Sequence, residues 1–412
     1  MKKRVGMIAA ISGMLFLGGG QAWALSAETM MLLDLLKAKG VITQEDAAEF
    51  TKTLETSKPE AAEGGHHHSV QTLADRLEKL EGKGGEGLAE AASKINWSGI
   101  VEVEMASARA KDGDGKKTNS SDISLATAQL NADATVNQYV SGRIAVLYEE
   151  DPEDSGNNSI GLDEAIVGFK GGEDLPLYAN VGRMYLPFGH FASHFISDPL
   201  TKNLGETNDT ALVAGYANDV VDLNVGAFRG KVKETGKNDH INSGVASATL
   251  SLPKDSVAGL AMSGGVSYLA NLAASDGLQG ETTVPGEVVD AAGGVSTFLS
   301  LAYAERFFFD AEYLGAVDDF AIGDLPFAVD NNNRKPQAWN LEAAAKLTDK
   351  TEFALRYGGS DQAGITLADH EYGAALLYDI FEHTSLTIEY LFQEFQDDSN
   401  NNQATMQVAV EF

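Results

Sequence analysis

The 412-residue sequence contains no cysteine, and this absence limits how an exported chain could be stabilised. Without disulfides, the fold must be held by its own packing or by a membrane. Anchoring through a lipidated cysteine is excluded for the same reason. Positive charge is also scarce, since 30 Lys and Arg oppose 60 Asp and Glu for a formal net charge of −30. This balance argues against nucleic acid as a direct partner, and we expect no cofactor.

The first residues are typical of a secretory signal. Basic residues at positions 2–4 precede an apolar run up to Leu17, and Ala22 and Ala24 fit a cleavage site. We therefore expect residues 1–24 to be a signal peptide, with an N-terminal anchor helix as the alternative. Beyond it the sequence lacks any run of 18 apolar residues. A membrane location would then require a closed β-barrel, because only helices and barrels satisfy every backbone group in lipid.

Residues 25–95 predict a small helical region with a linker. Two short amphipathic helices precede a Pro/Gly/His stretch, and a third helix repeats Val and Leu from Val70 to Leu80 at coiled-coil spacing. We expect this region in the periplasm, where the third helix either helps to form a trimer or packs on its neighbours. His66–His68 lie in the linker, and three adjacent histidines cannot all face one ion without a folded cage. We expect no metal there.

From Trp97 onward, apolar and polar residues alternate in segments of about ten, the length of a strand that crosses a bilayer. Residues 96–412 are therefore predicted to form an all-β, transmembrane antiparallel β-barrel of about sixteen strands, with fourteen or eighteen as alternatives. The predicted strands are about 97–106, 123–136, 139–149, 161–170, 177–184, 210–217, 219–229, 242–251, 256–268, 294–304, 306–317, 337–347, 351–359, 370–379, 385–395 and 404–412.

The connections between these segments alternate long and short, as in outer-membrane barrels with tight periplasmic turns and long external loops. The apolar face carries aromatic residues near the strand ends, which is typical of the girdles at membrane interfaces. The last segment ends on Phe412, and it resembles the closing strand of bacterial outer-membrane barrels, whose terminal aromatic residue the assembly machinery reads. We therefore predict an outer-membrane location in contact with lipid.

The polar face of the predicted strands is expected to line a wet lumen. Acids outnumber bases on this face, which favours a weak preference for cations. The candidate lumen residues are Glu102, Glu104, Asp133, Arg143, Glu149, Asp222, Arg306, Glu312, Lys346 and Arg356.

The third external loop, called loop 3 below, covers about residues 185–209 and is the most apolar and aromatic of the eight. In many sixteen-stranded porins the third loop folds inward and forms the constriction, so we expect the same here, with an external lid as the alternative. The candidate pore or constriction residues are Arg183, Tyr185, Pro187, Phe188, Gly189, His190, Phe191 and His194.

Loop 3 and its approach also carry a resemblance. In "VGRMYLPFGHFASHFISDPLT", the matching residues are Gly182, Arg183, Pro187, Phe188 and Gly189. With the signal, the helical region and the terminal Phe strand, the chain resembles the LbtU-type siderophore porins and, more distantly, phosphate-selective porins. The resemblance implies passage of a ferric siderophore across the outer membrane without a plug. Porin precedent also makes a homotrimer the expected assembly.

Three other classes compete with a siderophore porin. A general diffusion porin for small solutes is the nearest, and the sequence scarcely separates the two. An outer-membrane enzyme needs a clustered nucleophile, base and acid, and no nucleophile motif frames His190 and His194. An anchor or adhesin usually pairs a small barrel with a large envelope-binding domain, which is the reverse of this layout. We therefore predict a channel and not an enzyme.

Overall fold

The computed structural model describes residues 94–150, 160–172, 175–253, 256–325, 334–364 and 366–412. The predicted signal peptide, the helical region up to residue 93 and His66–His68 lie outside these residues. In the described part of the chain, no helix is long and apolar enough to cross a bilayer.

Sixteen antiparallel strands close into a barrel, and each pairs with the barrel strands before and after it. All sixteen predicted strands are confirmed. They are β1 (Ile95–Lys111), β2 (Lys117–Asn137), β3 (Val140–Tyr148), β4 (Gly161–Lys170), β5 (Leu177–Tyr185), β6 (Asn208–Ala217), β7 (Val221–Phe228), β9 (Ser243–Ser251), β10 (Leu260–Leu269), β12 (Gly294–Tyr303), β13 (Phe307–Ala316), β14 (Gln337–Thr348), β15 (Thr351–Asp361), β16 (His370–Phe381), β17 (Thr384–Glu394) and β18 (Asn400–Glu411). Two short strands, β8 (Lys233–Glu234) and β11 (Glu287–Val288), pair with each other outside the barrel sheet.

The barrel closes where β1 meets β18, with Val103 opposite Val408. At the end of this seam, Gly99 and Phe412 exchange backbone hydrogen bonds of 2.8 and 3.0 Å. The ring of Phe412 covers Gly99, where an added Cβ would lie 2.6 Å from a ring atom. Glycine at position 99 therefore leaves room for the ring of Phe412 beside the first strand.

The two faces of the sheet differ in the way that a lipid environment requires. Leu341, Ile388 and Val408 point outward and are exposed by 39, 49 and 38%, whereas Glu389 and Thr405 point inward and are buried. Because successive strand residues point to opposite faces, a strand can present apolar residues to the outside and different residues, here Glu389 and Thr405, to the inside. A continuous apolar outer surface of this kind is stable against lipid and costly in water.

Short turns and long loops lie at opposite ends of the barrel. Between β12 and β13, Ala304 and Glu305 both have positive φ, of 54° and 52°, and the amide of Arg306 donates to the carbonyl of Tyr303 at 3.1 Å. This is the geometry of a two-residue hairpin turn, in which the following strand starts only after the turn. The prediction that Arg306 lies on the lumen wall is therefore wrong, because the residue belongs to this turn.

The long loops contribute an apolar core inside the barrel. Phe188, Leu200 and Leu204 of loop 3 are almost fully buried, together with Leu272 of the loop between β10 and β12, called loop 5 (residues 270–293). Loop 5 contains a 3₁₀ turn (Leu272–Ala274) and the helix α2 (Asp276–Gln279). The wall residues of this core come from β5 to β14: Met184, Ala211, Val213, Phe228, Val245, Leu269, Leu314, Ala316 and Ala338.

Candidate constriction site

Loop 3 runs from residue 186 to residue 207 and turns sharply soon after it leaves β5. Gly189 and Phe191 have positive φ, of 83° and 53°. An added Cβ on Gly189 would lie 2.1 Å from the ring of Phe191, so only glycine fits this turn. Phe188 is 1% exposed and Pro187 is half-buried. The turn thus directs the loop against the inner wall, and its backbone amides need partners there.

The first of these partners is Glu312 on β13. Its carboxylate accepts the backbone amides of His190 at 2.8 Å and Phe191 at 3.0 Å. The hydroxyls of Thr201 and Ser296 donate to the same carboxylate at 3.0 and 2.9 Å. A buried carboxylate needs such donors in place of water. Because the loop donors come from His190 and Phe191 at one end and from Thr201 at the other, Glu312 fixes both ends of the loop's inner stretch to the wall.

Two further wall carboxylates continue the pattern across the barrel. Glu342 on β14 accepts the amide of His194 at 2.7 Å. Glu389 on β17 accepts the amides of Ile196 at 2.7 Å and Ser197 at 3.0 Å, and the Ser197 hydroxyl also donates to it. The irregular backbone of loop 3 is therefore satisfied by side chains of strands 120 to 190 residues further along the chain.

Arg356 on β15 holds the same segment through its guanidinium group. Its Nε lies 2.8 Å from Glu342 Oε1 and its Nη1 lies 3.3 Å from Glu371 Oε1, and all three side chains are almost fully buried. Its Nη2 donates to the carbonyl of Ser197 at 2.8 Å, and the group stacks over the ring of Phe195 at 4.3 Å. A planar guanidinium suits this arrangement, in which it bridges two carboxylates and stacks on a ring, and lysine could not reproduce it.

His194 lies just before the segment that Arg356 holds, and it forms further ion pairs between loop 3 and the wall. Its ring nitrogens lie 3.4 Å from Asp310 on β13 and 2.7 Å from Glu352 on β15, and its ring packs on Phe308 at 5.4 Å. Burial opposes the charged imidazolium, but hydrogen bonds to Asp310 and Glu352 outweigh it and raise the pKa of His194 to about 9. His194 is therefore a cation at neutral pH and pins loop 3 between two strands.

The helix α1 (Leu200–Gly205) ends loop 3 and has two distinct sides. Leu200 and Leu204 are buried towards the wall, where α1 packs on β13, β14 and β15. Asp198, Lys202 and Glu206 are spaced by four residues and lie on the other side. Lys202 Nζ is 2.9 Å from Asp198 Oδ1 and 3.8 Å from Glu206 Oε2. Burial and nearby carboxylates raise the pKa of Glu206 to about 7.

An acidic stretch of the wall lies within electrostatic reach of this side of α1. Glu149 interacts electrostatically with Lys202 and Asp198, and Glu104 with Asp198. The side chain of Asp198 is 52% exposed, and Glu149 is exposed as well. These groups therefore border a wet gap between α1 and the wall. We call this gap the acidic gap. Its wall carboxylates are Glu102, Glu104, Glu149 and Asp163.

Two of the basic lumen candidates, Arg143 and Arg356, are neutralised by carboxylates. Arg143 on β3 lies 3.1 Å from Asp133 on β2 and 2.6 Å from Glu164 on β4. Arg356 is paired with two glutamates under loop 3 and does not face the gap. Glu312 is covered by the loop in the same way, at 8% exposure. Loop 3 thus removes Arg356 and Glu312 from the wet surface on which they were expected.

The remaining loop 3 candidates lie around its entry. Arg183 donates to the carbonyl of Asp163 at 3.2 Å, and the hydroxyl of Tyr185 donates to the Asp163 carboxylate at 2.9 Å. The ring of His190 stacks on Phe298, with centroids 4.0 Å apart. These contacts hold the loop's first residues against β4 and β12, and they do not bring His190 and His194 to a common partner.

Two other lumen candidates lie away from the acidic gap. Asp222 accepts the hydroxyl of Tyr178 at 3.1 Å, and Lys346 stands over the ring of Phe308 at 5.6 Å. Glu342 and Glu371 hold loop 3 but were not among the candidates. Strand alternation could have found them, because each neighbours an outward residue on its strand. Among the described residues, no group of three or more His, Cys, Asp or Glu could hold a metal ion.

Together, the closed sixteen-stranded barrel, its apolar outer face and its internally packed loops define a β-barrel of the outer-membrane porin type. The solved outer membrane channel DcaP of Acinetobacter baumannii is similar, with a TM-score of 0.54 and 16% identity over 77% of this chain and 97% of that chain. At this identity the likeness concerns the fold.

Sequence relatives are found in two bacteria. A "UPF0422 protein" of Coxiella burnetii is 26% identical over 284 residues, which are 66% of this chain and 59% of the relative. A "UPF0422 protein" of Legionella pneumophila is 25% identical over 293 residues, which are 65% and 54%. The chain thus spans less than two thirds of the length of these relatives. No family model matches the chain.

Proposed function

We propose that this protein is an outer-membrane channel through which small solutes diffuse, with a preference for cations. The observation that supports the proposal is the acidic gap, where carboxylates of β1 and β4, and Glu149 just after β3, lie within electrostatic reach of Asp198 or Glu206. Arg143, Arg356 and His194 are each paired with two carboxylates that do not belong to the gap, so their charges do not offset it. Negative charge at a narrow passage attracts cations and repels anions.

The test is the reversal potential of purified protein in a planar bilayer with a KCl gradient. We expect discrete conductance steps and a potential of the sign that indicates K⁺ selectivity. Selectivity for Cl⁻ would refute the cation preference, and a failure to form conducting channels would refute the channel itself.

Uptake of a ferric siderophore is a finer form of this proposal, and the resemblance to siderophore porins supports it. The acidic gap favours neutral or cationic complexes over anionic ones. Blockade of single channels by a ferric complex, but not by sugars or amino acids, together with lost iron uptake in a deletion strain, would support it. Equal passage of all small solutes would instead identify a general diffusion porin. A homotrimer, a periplasmic helical region and recognition of the C-terminal strand by the assembly machinery belong to the same proposal.

A further inference from the structure

Helix α1 carries a positive side chain on the side that faces the acidic gap. Leu200, Thr201, Leu204 and Gly205 are buried against the wall, which leaves Lys202 on the opposite side. The side chain of Lys202 is 29% exposed, so it reaches the water of the gap. The packing of the helix on the wall fixes the side from which Lys202 leaves the backbone.

The ammonium of Lys202 has carboxylates of the acidic gap and of α1 around it. It lies 2.9 Å from Asp198 and 3.8 Å from Glu206, one helical turn before and after it. It also interacts with Glu149 on the facing wall. Burial opposes its charge, but Asp198 and the other carboxylates outweigh this and raise the pKa of Lys202. Lys202 is thus a permanent cation at the passage.

The other cations near loop 3 have different surroundings. Arg356 is enclosed between Glu342 and Glu371, and His194 lies between Asp310 and Glu352. The charge of each residue therefore holds loop 3 against the wall. Lys202 is instead paired with Asp198 and Glu206, which also border the open passage. We propose that Lys202 is the residue that sets the ion selectivity of the channel, because its charge offsets the acidic gap and limits the preference for cations. This inference depends on the proposed channel function.

Substitutions at Lys202 test the inference through the ratio of K⁺ to Cl⁻ permeability. Coulomb's law for a unit charge about 8 Å from the path, screened by about 0.1 M salt, gives about a twofold change in this ratio. K202M should therefore raise the ratio about twofold, and D198N should lower it. K202R keeps the charge and should match the wild type. Lys237→Met is the control, because Lys237 is a 60% exposed side chain in the loop between β7 and β9.

The outcomes separate this inference from the proposed function. A wild type that forms cation-selective channels, with K202M equal to it, would overturn the role of Lys202 and leave the channel function standing. A wild type that forms no channels would overturn both. Heat-modified mobility in gels should be the same for K202M and the wild type, because the buried side of α1 is unchanged. A K237M variant that shifts the ratio as much as K202M would also overturn the inference.

Discussion

Removal of the Arg356 guanidinium should release the middle of loop 3. In R356M, Glu342 and Glu371 would remain buried without their shared cation, and the carbonyl of Ser197 would lose its donor. Methionine keeps much of the apolar length, so the stack on Phe195 would be replaced by an ordinary hydrophobic contact. The loss is therefore mainly electrostatic, and it falls on the segment 193–198.

The structure gives a magnitude for this release. Removing one partner of a buried ion pair costs about 3–5 kcal/mol. Since about 1.4 kcal/mol is a tenfold change in an equilibrium constant, the detached form of segment 193–198 should gain roughly 100- to 5,000-fold in population. Glu312 still holds His190 and Phe191, and α1 is still packed on its wall. We therefore expect brief detachments and not a permanently widened lumen.

Single-channel recording is the assay. R356M should show larger and noisier conductance steps than the wild type, and a lower unfolding temperature in detergent. R356K keeps the positive charge but not the planar guanidinium with its several N–H donors, so its effect should be smaller than that of R356M. The triple variant R356M/E342Q/E371Q removes both uncompensated charges and should recover part of the stability. If R356M has the same channel noise and the same unfolding temperature as the wild type, the reasoning that this network holds the loop is refuted.

Three further predictions concern the loops and the lipid face. Because the pKa of His194 is raised from 6.5 to about 9, its ion pairs stabilise loop 3 fully below pH 6.5 and are lost as the pH rises through about 9. Channel noise should increase with a midpoint near pH 9, and H194N should lack this step. On the lipid face, I388K should destabilise the folded barrel by about 2–4 kcal/mol, measured by urea titration in lipid vesicles, whereas I388L should not. G277A should separate loop 5 from loop 3 and make both easier to cleave by protease, because the new Cβ would lie 1.8 Å from the carbonyl oxygen of Asn203. G280A is its control, since nothing lies within 4 Å of an added Cβ there.

Each of these predictions has an outcome that contradicts it. A pH step that persists in H194N would assign the titration to another group. Equal urea midpoints for I388K and I388L would mean that Ile388 does not contact lipid. Equal protease sensitivity of G277A and G280A would mean that the contact between the two loops does not limit their opening.

The strands could be predicted because the barrel imposes a period of two on the sequence. Leu341 and Ile388 point outward as the alternation indicated, and the boundaries of β4 match the prediction. The largest differences are in β1 and β2, which extend to Lys111 and start at Lys117. The residues added to β2 (117–122) are polar on both faces, and those added at the end of β1 (107–111) have alanine as their only apolar residue, so the alternation of large apolar residues that marks a membrane strand is missing.

The partners of loop 3 could not be predicted in the same way. Alternation shows that Glu342 and Glu389 face inward, but not which inward residues a loop will cover. That choice depends on the turn at Gly189 and Phe191, which sends the loop across β12 to β17. Contacts over 120 to 190 residues of separation leave no local pattern in the chain. Arg356 was accordingly expected to face water and is instead enclosed.

The apolar core inside the barrel divides the circumference into two sectors with different tolerance to mutation. Inward residues of β5 to β14 are packed against loops, so changes there should act first on folding yield and on the rigidity of the interior. Inward carboxylates such as Glu102 and Glu149 border solvent, so they can be exchanged with little loss of assembly while the ion selectivity changes. Evolution could therefore retune what the molecule admits from one arc of strands without having to rebuild the other.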